Sequence, residues 1–190
     1  METTTTALTW STLYMIKYPE IQRKVQEEIH IQVGLSRPVT MEDKVNLPFT
    51  EAVMHEILRL TCIVPLGLPH ATQGDVQVGP YKIPKDTMIF PNLHRITRNP
   101  KVFSDPDQFK PERFLDAEGK FVKNEHNVVF SIGKRDCLGK SLALIELFLF
   151  FASLMQNYQF KAVTENLDLE PHVQFTQSPK LFKVILSKFK

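Results

Sequence analysis

The chain has 190 residues, 43% hydrophobic and 23% charged, which is enough for one globular domain with a sizeable core. Its 23 basic and 21 acidic residues leave a net charge of +2, and no basic stripe interleaved with aromatics marks a nucleic-acid surface. Two cysteines, Cys62 and Cys137, are too few for a disulfide framework and fit a reducing, cytosol-facing setting.

The sequence opens on Met1-Glu2-Thr3-Thr4-Thr5-Thr6 and enters helix-like sequence at once, so it reads as the C-terminal part of something longer. Residues 6–18 predict a helix, with Ala7, Leu8, Trp10, Leu13, Tyr14 and Ile16 as apolar positions. Pro19 suits a first helical turn and opens a second helix that Gly34 closes. Within it Ile21, Val25, Ile29 and Val33 recur every four residues, and the Lys, Arg and Glu residues between them read as a solvated face. A third helix is predicted over 48–60, stopped before Pro65. Residues 75–91 alternate and turn twice, at Gly79-Pro80 and at Pro84-Lys85-Asp86, which predicts a small antiparallel sheet. Residues 99–119, rich in Pro, Asp and Phe, predict an irregular meander. A long helix is expected over 138–156, and late strands over 158–163 and 182–189. The apolar run over 142–155 contains Glu146 and is too short to span a bilayer, so it predicts a buried helix whose Leu and Phe residues pack. No signal peptide, transmembrane helix or internal repeat is visible.

The densest signal is Phe130-Ser131-Ile132-Gly133-Lys134-Arg135-Asp136-Cys137-Leu138-Gly139. It sets one thiol between two glycines, two residues after an arginine, at the mouth of an apolar helix. Gly133 and Gly139 let the backbone bend and lie close to a flat ligand. Arg135 offers a cationic fork for a carboxylate. Phe130 can pack on a planar ring or on the sulfur, and the positive end of the following helix suits an anionic sulfur.

The spacing F-x-x-G-x-R-x-C-x-G is complete here and resembles the signature of the cytochrome P-450 haem-thiolate monooxygenases. The details around it are similar to the animal microsomal drug- and steroid-metabolising type. The resemblance runs over most of the chain and implies a mainly α fold with a small β-sheet. Residues 1–190 would then be the C-terminal part of a single P-450 domain. It implies haem b (iron protoporphyrin IX) as cofactor, with Cys137 as the iron ligand and Phe130, Gly133, Arg135 and Gly139 around it. It places His94, in Asn92-Leu93-His94-Arg95, at a haem propionate. It joins Glu56 and Arg59, three apart on one helix, to Arg113 of Pro111-Glu112-Arg113-Phe114 in a buried charged triad that locks the meander.

Glu2-Thr3-Thr4 resembles the acid-Thr-Thr end of the family's central helix, without the small residue and glycine that normally begin it. The resemblance gives Thr3 a hydroxyl role beside bound dioxygen and makes Glu2 the neighbouring acid. Ile63, Val64 and Leu66, together with Phe175, are the implied substrate-pocket residues. The implied reaction puts one oxygen atom of O2 into a lipophilic small molecule, with electrons from an NADPH-dependent reductase, at the endoplasmic reticulum membrane. Two other readings stand beside it. One is a truncated, non-catalytic fragment that binds haem weakly or not at all. The other is a haem-thiolate enzyme that rearranges peroxides, against which Thr3-Thr4 leans.

Overall fold

A proline at position 19 breaks the N-terminal apolar stretch into two helices, α1 (Glu2–Lys17) and α2 (Pro19–Gln32). The structure, a computed structural model, describes residues 2–164 and 167–189. Three more helices follow: α3 (Pro48–Thr61), the short α4 (Leu93–Thr97) and α5 (Lys140–Asn157). The chain is mainly helical, and its principal core lies where α1, α2, α3 and α5 meet around Trp10, Met15, Ile29, Ile57 and Phe148.

Helix α1 starts earlier than the sequence pattern indicates, because Glu2 and the threonines already lie in its first turns. The four-residue repeat of α2 buries Ile21, Val25 and Ile29, as expected. Its polar face is not all solvated. Gln22 donates from Nε2 to the carbonyls of Met15 (2.9 Å) and Phe160 (3.0 Å), and its Oε1 accepts from the Phe160 N–H (2.8 Å). Glu28, expected at the surface, instead accepts from the N–H groups of Phe49 (2.9 Å) and Thr50 (2.8 Å) and from the Thr50 hydroxyl (2.6 Å). Helix α3 has a proline in its first turn and no side-chain cap of its own. A carboxylate borrowed from α2 therefore satisfies its free N–H groups and complements its dipole.

Among the described residues eight short strands form four separate antiparallel pairs. The expected small sheet is two of them: β2 (Val76–Val78) with β3 (Tyr81–Ile83), and β4 (Met88–Ile89) with β1 (His70–Ala71). β5 (Tyr158–Ala162) and β8 (Val184–Lys188) are the two late strands, paired so that Phe160 faces Leu186. Between them β6 (Pro171–Val173) and β7 (Gln177–Pro179) make a hairpin the sequence did not announce. That hairpin is pinned at Gln177, whose carbonyl accepts from Trp10 Nε1 (3.0 Å) and whose N–H donates to Ile63 (2.7 Å). The meander is irregular, as expected, apart from a 3-10 turn at Pro111–Phe114 and a bridge between Leu115 and Phe121.

α5 begins two residues later than predicted, leaving Leu138 in the preceding turn and fully exposed. One side of α5 buries Leu147, Phe148, Phe151, Ala152 and Met155, while Leu142 and Phe150 remain more than half exposed. Among the described residues no helix is long and apolar enough to cross a membrane.

His55 on α3 packs beside the stacked rings of Phe114 (5.8 Å) and Phe121 (4.8 Å). Burial pushes its imidazole down to about 4 from 6.5, and the ammonium groups of Lys44, Lys123 and Lys140 push the same way. The unfolded chain therefore binds more protons than the folded one between those two values. Stability is full above about pH 6.5 and falls by up to about 3 kcal/mol as the pH drops toward 4. Urea midpoints measured at pH 7 and pH 4.5 should show this loss, and His55→Gln should shrink it.

Candidate functional site

The segment before α5 folds into a tight loop because two residues accept left-handed backbone angles. Ser131 has φ +63° and Gly133 has φ +79°. At Gly133 only glycine adopts that angle without a steric cost. The Ser131 N–H donates to Val128 (2.8 Å), and a 3-10 turn runs from Gly133 to Arg135. The Cys137 N–H then donates back to Phe130 (2.9 Å), and its carbonyl accepts from Lys140 (3.1 Å) at the start of α5. These bonds hold Cys137 by its backbone and leave the side chain exposed. A side-chain carbon at Gly139 would stand 4.0 Å from Cys137 Sγ, an ordinary contact distance.

Cys137 opens onto a cavity of about 620 Å3. That lies within the roughly 300–1,000 Å3 usual for cofactor and small-molecule sites. Three parts of the chain build most of its wall. The loop contributes Phe130, Arg135 and Gly139 beside Cys137, and α1 contributes Thr3, Thr4 and Ala7. The stretch after α3 contributes Ile63, Val64, Gly67 and Leu68, and the β6–β7 turn adds Phe175 and Thr176. The pinned hairpin thus brings Phe175 and Ile63 to one cavity although 112 positions separate them (175 − 63).

Several expected residues lie elsewhere. Glu2 is exposed in the first turn of α1 and does not line the cavity. Leu66 is likewise exposed and turned away, its neighbours Gly67 and Leu68 taking the wall instead. Gly133 shapes the loop from outside the cavity. His94 sits on α4, its N–H donating to Pro65 (3.0 Å), and is absent from the lining. Burial and the nearby Arg98 hold its imidazole below the usual histidine range. The histidine that does line the cavity is His70, brought there by the pairing of β1 with β4. The sequence reading missed it, although it directly follows the stretch assigned to the pocket.

Gly67 has φ +60°, and a side-chain carbon there would stand 2.7 Å from Pro91 Cγ. The proline ring cannot rotate away. Gly67→Ala should therefore cost about 2 kcal/mol of stability from crowding and backbone strain, read as a lowered urea midpoint.

Beneath the site the structure brings Glu56, Arg59 and Arg113 together. Glu56 and Arg59 are both fully buried. Glu56 Oε2 accepts from Arg59 Nε (2.7 Å), and Oε1 accepts from Arg59 Nη2 (2.9 Å), Arg113 Nε (2.9 Å) and the Lys110 N–H (3.0 Å). Arg59 Nη1 donates to the carbonyls of Thr97 and Pro106 (both 2.8 Å), and Arg113 Nη1 to Ser104 (2.9 Å). One carboxylate and two guanidiniums thus fasten α3 to the meander in several places, with Phe103 under the Arg59 guanidinium at 4.9 Å.

Comparison with known proteins gives a consistent result. The family model described as Cytochrome P450 matches residues 1–186. The chain is 43% identical to cytochrome P450 2G1 of Oryctolagus cuniculus over 188 residues, which is 97% of this chain and 38% of that protein. It is 48% identical to cytochrome P450 2K6 of Danio rerio over 183 residues, 94% of this chain and 36% of that protein. It is 43% identical to cytochrome P450 2A13 of Homo sapiens over 182 residues, 94% of this chain and 37% of that protein. The chain spans little more than a third of the length of these relatives.

Proposed function

The chain belongs to the cytochrome P450 family, and from that premise we propose that it is the haem-thiolate portion of a monooxygenase, in which Cys137 would supply the thiolate that holds the iron. The observation that carries this reading is an exposed thiol, fixed by its backbone, opening with Arg135 and Phe130 onto a cavity of cofactor size. The donor set fits a porphyrin. Among the described residues no three His, Cys, Asp or Glu side chains converge as metal ligands. A macrocycle that brings its own nitrogens needs only the single thiolate.

Arg135 and His70 would hold the propionates, and Phe130 would pack beside the ring. Bound there, haem b would supply the iron at which dioxygen is cleaved, one oxygen atom entering the substrate and the other leaving as water, with thiolate donation favouring that cleavage. The Thr3 hydroxyl can hold and pass a proton at the cavity wall. Glu2, exposed one residue away, would exchange that proton with solvent. Ile63, Val64, Leu68 and Phe175 offer an apolar wall that excludes water and suits a lipophilic substrate. An NADPH-dependent reductase as electron source and an endoplasmic reticulum setting belong to the same proposal.

One observation favours a second reading, a chain that takes haem weakly and does not turn over. Leu138 and Leu142, flanking the start of α5 next to the site, are bare. Titrating haemin into the purified 190-residue chain separates the two. The first reading predicts one-to-one binding, weakened about tenfold in Arg135→Leu, roughly the 1.4 kcal/mol of a charge-assisted hydrogen bond. Non-stoichiometric uptake, indifferent to Arg135, supports the second.

A further inference from the structure

The one tryptophan of the chain and two of its four tyrosines stand in a single row. Trp10, Tyr14 and Tyr18 recur every four residues along α1 and the residue after it, so they share a face. The ring centroids of Trp10 and Tyr14 are 6.2 Å apart, and the stacked rings of Tyr14 and Tyr18 are 6.0 Å apart. Phe109 of the meander lies against the last two, 4.9 Å from Tyr14 and 4.8 Å from Tyr18. The row runs from the large cavity to the surface. Ala7, one turn before Trp10, lines that cavity, and so does Thr176, next to the Gln177 carbonyl that accepts from Trp10 Nε1. Exposure rises along the row, from 2% at Trp10 to 7% at Tyr14, and Tyr18 is partly open to solvent.

Aliphatic side chains of similar volume would fill this part of the core as well. Indole and phenol add the capacity to give up one electron. They differ in where the proton can go. Trp10 Nε1–H points at a peptide carbonyl, a very weak base, so an oxidised indole keeps its proton and its pull on a further electron. Burial pushes the Tyr14 phenol up to about 12 from 10.0, which opposes loss of its proton. Tyr18 reaches water, which can take a phenol proton as the electron leaves.

We propose that Trp10 and Tyr18, bridged by the rings of Tyr14 and Phe109, form a one-electron relay that drains oxidising equivalents from the cavity to the surface. This relay rests on the reading of the cavity as the seat of an oxidising cofactor. The Trp10 indole gives one electron to a one-electron oxidant in the cavity and becomes a radical cation. The Tyr18 phenol returns one electron to the indole through the two bridging rings and releases its proton to water. The oxidant is thus reduced by one electron, and Tyr18 is left as a neutral phenoxyl radical. A dissolved thiol or ascorbate restores the phenol by donating a hydrogen atom. Oxidising equivalents that miss a substrate thereby leave without attacking Cys137 or the apolar wall.

Flash photolysis of the full chain, prepared without haem, tests this. A ruthenium polypyridyl photosensitiser is attached to Cys137, which is exposed while Cys62 is buried. A soluble viologen quencher then turns it into a one-electron oxidant at the cavity. A transient indole radical cation followed by a tyrosyl absorption band is expected, with the tyrosyl yield about tenfold lower in Trp10→Phe. In Tyr18→Phe the tyrosyl band should vanish and the indole radical cation should live longer. Tyr18 is partly exposed, so that variant reads out the relay even if Trp10→Phe folds poorly. Tyr81→Phe, at an exposed position on β3, should match wild type. An unchanged yield in Trp10→Phe, a band that survives in Tyr18→Phe, or an equal loss in Tyr81→Phe would each overturn the proposal. Haemin titration tests the cofactor separately, so a failure there is distinguishable from a failure of the relay.

Discussion

Glu56→Ala should destabilise the folded chain by about 3–5 kcal/mol, the cost of leaving buried cations uncompensated. Glu56 is fully buried and is the shared acceptor for Arg59, Arg113 and the Lys110 N–H. Removing it strands the guanidinium of Arg59, itself fully buried, and loosens the carbonyls of the meander that both arginines hold. Glu56→Gln keeps the shape and one acceptor oxygen, so it should fall between wild type and alanine. Lys24→Ala is the control, because its contact with Glu112 is 3.8 Å long and more than half exposed on both sides. That substitution should change stability by less than about 1 kcal/mol. Urea denaturation reads all three. A Glu56→Ala midpoint indistinguishable from that of Lys24→Ala would mean the triad does not hold the meander. Because the meander precedes the thiol loop in the chain, Glu56→Ala should also lose haem incorporation.

Cys137→Ala should do the reverse, leaving the fold nearly intact and removing the proposed ligand. The sulfur is exposed, and the bonds that fix residue 137 run through its backbone N–H and carbonyl, which alanine retains. Stability should therefore move by less than about 0.5 kcal/mol, as for a surface substitution. Haem binding should fall by at least a hundredfold, since no other described cysteine can replace the ligand. Cys62 is buried, and burial pushes its thiol up to about 11. Urea midpoints and haemin titration on the same preparation separate the two effects. A variant that unfolds would show that Cys137 is a packing residue.

The helices were legible because their signals are local. The four-residue spacing of Ile21, Val25 and Ile29 and the prolines at 19 and 48 mark α2 and α3 without reference to the rest of the chain. The thiol loop was legible for the same reason, since its residues are consecutive. What the sequence hid depends on distant pairing. Strand β1 is two residues long and exists only against β4, so apart from its place just after the assigned pocket stretch nothing local marks His70 as a cavity residue or sends His94 elsewhere. Glu28 looks like a surface charge until the start of α3 is laid across it. The β6–β7 hairpin has no alternation of its own and is held by Trp10 and Ile63. Phe175 was assigned to the pocket through the family resemblance, and its place on the cavity follows from those two bonds.

The most direct test of thiolate ligation is the absorption spectrum of the full chain, supplied with haem, reduced and exposed to carbon monoxide, with Cys137→Ala beside it. A strongly red-shifted Soret band, lost in the variant, is the expected result and would place the Cys137 sulfur on the iron. A chain that takes up no haem, or a band that survives in Cys137→Ala, would contradict it.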